Sequence, residues 1–342
     1  MPKVSVQIVT WNSMNYIMEC LESLMKQSFR DFSILVIDNG SDDGTVKFIR
    51  SYYPTVSILE NSKNLGYSRA NNQGIHLAKG EYILVLNPDV ILTEDFIQEM
   101  VDFADKHREA GSFGGKVLKF YTEIVGQDNE SSIREFVKSD FFDSTGLEIL
   151  KTRKVVDRGQ NQKDKGQYEK LEEVFGISGN CVMYRASALV DVMIKNEFFD
   201  QDFFAYKEDI DLAWRLRLYG WNSWYNPQAV CYHHRTLGSF ENKNLTKSIK
   251  QRRHISKVLR SLSFRNHHLM IFKNDQMANI VFHLPWVLGR EIKILFYALI
   301  FEPFQYSSTF KFFKLLPNIL VKRRIIMAHK KISAKEIKKW FR

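Results

Sequence analysis

Two polar clusters, more than a hundred positions apart, carry the side chains best suited to chemistry. The first is Asn87-Pro88-Asp89, set directly after the apolar run Tyr82-Ile83-Leu84-Val85-Leu86. A carboxylate there can hold a divalent cation across the two phosphates of a diphosphate. The second is Glu208-Asp209, preceded by Phe203, Phe204 and Tyr206 and followed by Ile210-Asp211-Leu212-Ala213-Trp214-Arg215. A positioned carboxylate in that cluster can take a proton from an attacking hydroxyl. Both clusters also have plainer readings. Asn-Pro is ordinary turn chemistry, acids in the first turn of a helix are stabilised by its dipole, and Asp211 with Arg215 is an i, i+4 ion pair. His234 ends the strand-like run Val230-Cys231-Tyr232-His233. A neutral imidazole beside Asp89 would add a metal ligand, although a histidine at a strand end is more often satisfied locally.

The elements that must present these residues follow from periodicity. Val4–Val9, Ser33–Ile37, Val56–Leu59 and Tyr82–Leu86 read as strands. Between them lie helical patterns: Ile17, Leu21 and Leu24 share one face with Ser13 as a cap, a second helix runs through Val46, Ile49 and Tyr52, and a third spans Ala70 to Lys79. This alternation predicts an α/β fold with a mainly parallel central sheet. Polar loops at Thr10, Asp38, Asn64 and Asn87 should then share the carboxyl edge of that sheet, where ligands of open α/β folds bind. No Gly-x-Gly-x-x-Gly follows the first strand and no P-loop occurs, so a diphosphate would need another counter-charge, such as a cation on Asp89. Further along, Glu94–His107 reads as an amphipathic helix. Residues 122–170 are polar and aperiodic and read as an active-site flap over the donor, and Val174–Tyr184 as a strand made to approach closely by Gly176 and Gly179.

Composition narrows the class. The chain has 342 residues, 44% of them apolar, and three widely spaced cysteines, Cys20, Cys181 and Cys231, which exclude a disulfide framework and imply a reducing compartment. The start lacks the pattern of a signal peptide, and no run is long and apolar enough for a membrane span. Net charge is +10, but residues 241–342 carry 22 Lys and Arg against 5 Asp and Glu, while residues 1–240 carry 27 against 34. A basic tail therefore follows an acidic body.

Together these residues resemble the inverting glycosyltransferases of family 2, with a GT-A nucleotide-sugar-binding fold, and within them the bacterial rhamnosyltransferase-like enzymes of surface polysaccharide assembly. The similarity runs from Val4 to about Ser239. It is carried by Val9-Thr-Trp-Asn12, Asp38-Asn-Gly-Ser-Asp-Asp-Gly44, Asn64-Leu-Gly-Tyr-Ser-Arg-Ala-Asn-Asn-Gln-Gly74, Asn87-Pro-Asp89, Tyr206-Lys-Glu-Asp-Ile-Asp-Leu-Ala-Trp-Arg215, and His234 with Ser239. The resemblance implies a donor site formed by Thr10, Asn12, Asp38, Asn39, Asn64, Gly66, Asn71 and Asn87, with Asp38 or Asn39 reading the pyrimidine base. It places Mg2+ or Mn2+ on Asp89, with His234 as an added ligand, and gives Asp209, aided by Glu208, the role of base. Asn87 and Asn39 depart from the acids more frequent at their positions.

The implied reaction is a single displacement with inversion, from a dTDP- or UDP-sugar, dTDP-rhamnose first, to a lipid-linked or cell-surface polysaccharide acceptor. The expected organisation is a glycosyltransferase region over 1–240, with a nucleotide-binding half at 1–110 and an acceptor half at 111–240, then a helical region at 241–342. In that tail, apolar runs such as Ile292–Phe301 broken by Arg290, Glu291 and Lys293 suit either an anionic membrane surface or internal packing, including a homodimer contact. No nucleic-acid motif accompanies the charge, so nucleic acid is not an expected partner. The expected location is cytoplasmic, peripheral on the inner face of the cell membrane. The competing class is a non-catalytic membrane-associated scaffold of glycan assembly that retains the fold.

Overall fold

A computed structural model describes residues 1–128, 131–235, 252 and 255–342. The first half runs β1 (Val4–Thr10), α1 (Ile17–Met25), β2 (Phe32–Asp38), α2 (Thr45–Tyr52), β3 (Ser57–Glu60), α3 (Tyr67–Leu77), β4 (Tyr82–Leu86), β5 (Val90–Leu92) and α4 (Phe96–Lys106). Next come β6 (Ala110–Asp128), β7 (Ser131–Ser144), β8 (Leu147–Ile149), β9 (Val155–Asp157), β10 (Glu172–Glu173), β11 (Cys181–Arg185), α5 (Ala186–Asp191), α6 (Glu208–Leu218) and β12 (Asn222–His234). The tail holds α7 (Lys257–Asn274), α8 (Met277–Phe282), α9 (Leu284–Phe301), α10 (Gln305–His329) and α11 (Ala334–Lys338).

The sheet has the order β10-β12-β6-β11-β4-β1-β2-β3, parallel from β4 through β3 and again between β12 and β6, with β11 reversed between its neighbours. Continuous apolar strands belong in a sheet covered on both faces. Every residue of β1 and β4 is buried. Tyr82, Leu84 and Leu86 enter one core with Val4, Val6 and Ile8, whereas Ile83 and Val85 enter the opposite core. Each such aliphatic side chain contributes about 1.5–3 kcal/mol on burial, so the residues just past Leu86 leave a firmly held strand. In the parallel register Thr10 stands opposite Asp38 and Asp38 opposite Glu60, which brings the polar loops level at one edge.

Some local expectations differ from the structure. α3 starts at Tyr67 rather than Ala70, and Ser13 does not cap α1: its hydroxyl accepts the Trp11 N–H at 3.2 Å. Residues 174–180 lie outside the strand, which begins at Cys181. The glycines of that loop do meet tight spaces, since a Cβ at Gly176 would lie 2.4 Å from Ala213 Cβ. The aperiodic stretch 122–170 begins as the β6–β7 hairpin, because its two strands pair with each other instead of presenting an apolar face to the core.

The tail is bound into the body. Leu269, Met270 and Ile271 of α7 and Phe312, Ile319 and Ile326 of α10 share one core with Leu212, Trp214 and Leu216 of α6. Part of its positive charge is neutralised internally rather than facing a partner. Lys273 Nζ lies 2.5 Å from Asp200 Oδ2 and 2.8 Å from Asp211 Oδ2, with all three side chains buried. Arg215 Nε approaches Asp211 at 3.1 Å, and Lys322 joins Asp200, Glu197 and Asp202. Removing one partner from such a network strands buried charge at a cost of about 3–5 kcal/mol. Lys273→Met should therefore lose stability of that order in urea denaturation, and wild-type stability would show that the network does not hold the tail.

Candidate active site

The loops at the carboxyl edge are organised mainly by their own side chains. Asp38 is buried and accepts from Gly40 N at 3.0 Å, Ser41 N at 2.8 Å, Ser41 Oγ at 2.5 Å and Thr10 Oγ1 at 2.9 Å. Its neighbour Asn39 accepts from Asn61 Nδ2 at 3.0 Å and donates to the Gly66 carbonyl at 3.3 Å. Both side chains offered as base readers are thus turned into the loop framework. Asn12, at φ +52°, receives the Asp42 N–H on Oδ1 at 3.0 Å. Asn64 Oδ1 accepts from Gly66 N at 2.8 Å, and buried Asn71 accepts from Gln7 Nε2 at 2.7 Å beneath the sheet edge. Gly66, at φ +86°, lies against Phe204, where a Cβ would come within 2.5 Å of the ring.

Asp89 sits beyond β4 with 29% of its side chain exposed. Its Oδ1 makes no hydrogen bond and has His233 Nε2 at 3.3 Å, so the carboxylate keeps unused acceptor capacity. His233 is buried and presents its other nitrogen to Asp143 Oδ2 at 2.7 Å, and Arg235 grips the same carboxylate at 2.8 and 3.0 Å. Burial alone would lower the His233 pKa, but Asp89 and Asp143 carry it up to about 9. His234 is placed differently. Its backbone N–H donates to the Asp89 carbonyl at 3.0 Å, its Nε2 lies 3.2 Å from Thr122 Oγ1, and its ring stands against Tyr16 and Phe120. Ser239, paired with His234 in the sequence motif, lies outside the described residues.

The second cluster opens α6. The residues before it, Phe204, Tyr206 and Lys207, all have positive φ, at 64°, 72° and 70°. Side chains rarely adopt that region, and a run of such residues persists only when its surroundings hold it. Asn266 of α7 does so: its Nδ2 lies 2.9 Å from the Phe203 carbonyl, 2.9 Å from that of Ala205 and 2.8 Å from that of Tyr206. Asp209 accepts from Gly179 N at 2.9 Å and Ile210 N at 2.8 Å. Gly179 is required there, since a Cβ would lie 2.8 Å from Asp209 Cβ. Glu208 is buried with Oε2 unpartnered. Burial raises both carboxyl pKa values, Glu208 to about 8 with Asp209 adding repulsion, while the two backbone N–H groups draw Asp209 part of the way down.

Tyr67 ties the two clusters together. Its hydroxyl lies 3.0 Å from Asn87 Oδ1 and 3.0 Å from the Gly179 carbonyl, and Gly179 in turn donates to Asp209. The Tyr67 pKa is pushed up first by burial and then by the charges of Glu208, Asp209 and Asp89. Among the described residues no three His, Cys, Asp or Glu side chains form a metal cage. Mg2+ needs none here: it commonly takes one or two carboxylates and completes its shell with water and substrate phosphates. The Asp89 carboxylate fits that donor set.

Several residues of this centre escaped the sequence reading: Tyr67, Asp143, His233 and Arg235. A signal existed for one of them. Alternation along β12 buries Cys231 and His233 and leaves Tyr232 and His234 partly exposed, so the period of two selects His233 as the inward histidine. Asp143 lay within the aperiodic stretch, where no pattern marks which acid turns inward.

Fold and site together define a nucleotide-sugar-binding GT-A glycosyltransferase architecture. The sequence model of Glycosyl transferase family 2 matches residues 5–193, and the chain belongs to that family. It is 29% identical to the N-acetylglucosaminyl-diphospho-decaprenol L-rhamnosyltransferase of Mycobacterium tuberculosis, over 67% of this chain and 75% of that protein. It is also 29% identical to the rhamnosyltransferase WbbL of Escherichia coli K12, over 82% of this chain and 99% of that protein. Among solved structures, TarS 1-349 of S. aureus in complex with UDP-GlcNAc has a TM-score of 0.55 at 17% identity, covering 96% of this chain and 87% of that one. GalNAc-T7 with UDP, GalNAc and Mn2+ has a TM-score of 0.58 at 13% identity over 80% of this chain, which spans 49% of that protein. The chain is thus a family 2 glycosyltransferase, similar to rhamnosyltransferases.

The paired acids give a direct test. In a carboxyl-carbon NMR titration Asp209 should ionise above the ordinary carboxylate range. Glu208 should ionise last, near about 8, and Asp209→Asn, which removes the neighbouring negative charge, should bring the Glu208 midpoint down; an unchanged Glu208 midpoint would show that the two carboxyls do not interact.

Proposed function

We propose that this glycosyltransferase moves a sugar, rhamnose first, from a dTDP- or UDP-sugar to a lipid-linked or cell-surface polysaccharide acceptor, with inversion at the anomeric carbon. The observation that carries the reading is that Tyr67 joins the loop of Asn87 and Asp89 to the Gly179 loop that holds Asp209. The rhamnosyltransferase relatives support the donor sugar, and the decaprenol-linked substrate named for one of them supports the acceptor class.

In the proposed mechanism Asp209 is the base. Its orientation is fixed by the N–H groups of Gly179 and Ile210, which leave carboxylate lone pairs for an acceptor hydroxyl. As that hydroxyl attacks the anomeric carbon its proton passes to Asp209, and the bond to the nucleoside diphosphate breaks on the opposite face. Asp89 would hold Mg2+ or Mn2+ there, and the bound cation would neutralise charge developing on the departing diphosphate. Buried Glu208, raised to about 8, stays largely protonated near neutrality and spares Asp209 a second negative neighbour. Because the base works ionised, activity should fall as pH drops through the raised Asp209 pKa. The nucleotide-binding half 1–110 and the acceptor half 111–240 meet in this reading at the Tyr67 contact.

Purified protein should release nucleoside diphosphate from one member of a dTDP- and UDP-sugar panel with Mg2+ or Mn2+. Asp89→Ala should weaken metal-dependent donor binding, while Asp209→Asn should keep that binding and cut turnover by about a hundredfold or more. The reverse pattern would exchange the two roles. A panel inert with lipid-linked and polysaccharide acceptors would leave the non-catalytic scaffold.

The proposed site of action is the cytoplasmic membrane surface. Among the described residues no helix is long and apolar enough to cross a membrane. However, α9 exposes Phe296 at 58%, Leu299 at 54% and Ile300 at 65% of their surfaces, beside a basic tail suited to anionic lipid. Replacing these three by Ser should release the protein from anionic vesicles in a flotation assay. Unchanged flotation would assign the face to a contact between copies of the chain instead.

A further inference from the structure

Between α7, α9 and the turn that carries Glu208 and Asp209 lies a cavity of about 420 Å3, lined on its polar side by Lys207, His267, Arg290 and Lys293. A second cavity of about 340 Å3 is almost wholly apolar, lined by Phe272, Leu288, Leu295, Phe312 and Phe313. Phe264, His268 and Ile294 line both, so the two adjoin as one amphiphilic groove.

The charges of the polar end do not cancel. Arg252 and Arg260 are both tied to Glu302, and Glu291 accepts contacts from His267, His268 and Arg290. His267 is held neutral, with its pKa pushed down to about 3 by burial and by the Arg290 charge despite its contact with Glu291. The ammonium groups of Lys207 and Lys293 make no direct hydrogen bond or ion pair among the described residues. Lys207 is also desolvated, which lowers its pKa while the nearby Asp209 charge opposes that, so an ammonium with no contacting counter-ion lines the cavity immediately before Glu208 and Asp209. Two ammonium groups with no direct ion-pair contact suit a sugar-bearing diphosphate diester, which carries one charge on each phosphate, and a charge-assisted contact is the strong kind of phosphate contact. Free phosphate would use the polar end alone. A flat phospholipid surface would use neither the cavity nor its position beside the base.

We propose that this groove is the acceptor subsite for a prenyl-type lipid diphosphate, with the diphosphate at Lys207, Arg290 and Lys293 and the first part of the lipid chain along Phe272, Leu295 and Phe313. The proposal rests on the lipid-linked acceptor reading above and assigns its anchor. Placed so, the sugar carried by the diphosphate lies toward Asp209, and the rest of the chain leaves over the exposed apolar face of α9.

The test is binding of farnesyl diphosphate to the full chain, with farnesol, inorganic pyrophosphate and phosphatidylglycerol vesicles as competitors. Farnesyl diphosphate should bind, and farnesol, which lacks the charged contacts, and pyrophosphate, which lacks the apolar chain, should each be weaker by about tenfold or more. Lys293→Glu, a change at an exposed position, should weaken farnesyl diphosphate by about tenfold, and Phe313→Asp should weaken it while sparing pyrophosphate. Pyrophosphate binding as tightly as farnesyl diphosphate would overturn the proposal in favour of a free phosphate site, and equal competition by the vesicles in favour of a general lipid surface. Sugar-nucleotide turnover separates this from the functional reading. If no donor is turned over but the binding pattern holds, the reading of function falls and the groove stands. If transfer to a lipid-linked acceptor proceeds with the same KM in Lys293→Glu, the groove falls and the function stands.

Discussion

The ammonium of Lys273 is buried between Asp200 and Asp211, and the arrangement of the acceptor side depends on that contact. A buried charge is tolerable only with its partners in place, so α7 must dock where it does if α6 is to keep Asp211 desolvated. Once α7 is docked, Asn266 lies seven residues before Lys273 on the same helix and reaches three carbonyls of the turn ahead of α6. That turn would not hold three side-chain-bearing residues at positive φ by local preference. The direction in which Glu208 and Asp209 point is thus set by tail residues more than fifty positions later in the chain.

This dependence explains which parts of the molecule were legible in the sequence. β4 was readable to the residue because a strand buried on both faces writes itself as an unbroken apolar run, and Asn-Pro marks its end. The carboxyl-edge loops were readable because parallel βαβ units repeat their geometry. The docking of the tail was not. Its charge surplus looked external because sequence counts charges without showing which are paired, and Lys273 and Lys322 find their acids over a hundred residues away in one case and over sixty in the other. Likewise Asp38 carries the residue type expected of a donor contact, yet its four acceptor positions are filled by the loop itself. A residue's type shows what it can bind, whereas its unfilled hydrogen-bond capacity shows what it is free to bind.

The same distinction bears on Asp89. Asp143 is fully engaged by His233 and Arg235, and it fixes the imidazole from behind. The imidazole faces Asp89 at 3.3 Å without closing a hydrogen bond to Oδ1. A metal-binding carboxylate benefits from a supporting shell that orients it while leaving its oxygens available. Asp89 has that form, and Asp143 does not.

The proposed transfer from a water-soluble sugar nucleotide to a lipid-borne acceptor would gather its substrates from two phases. The geometry separates those demands. The sheet edge is polar and belongs to the acidic part of the chain, whereas the far side of the Glu208-Asp209 turn faces basic helices with exposed apolar residues. The turn lies between the two, held by Asn266 on the tail side and touching Gly66 and Gly179 on the sheet side. A base on a free surface loop would be exposed to water as an alternative nucleophile. The proposed base, on a turn fastened from both sides, keeps one orientation, which a turn built from only one part of the chain would not secure.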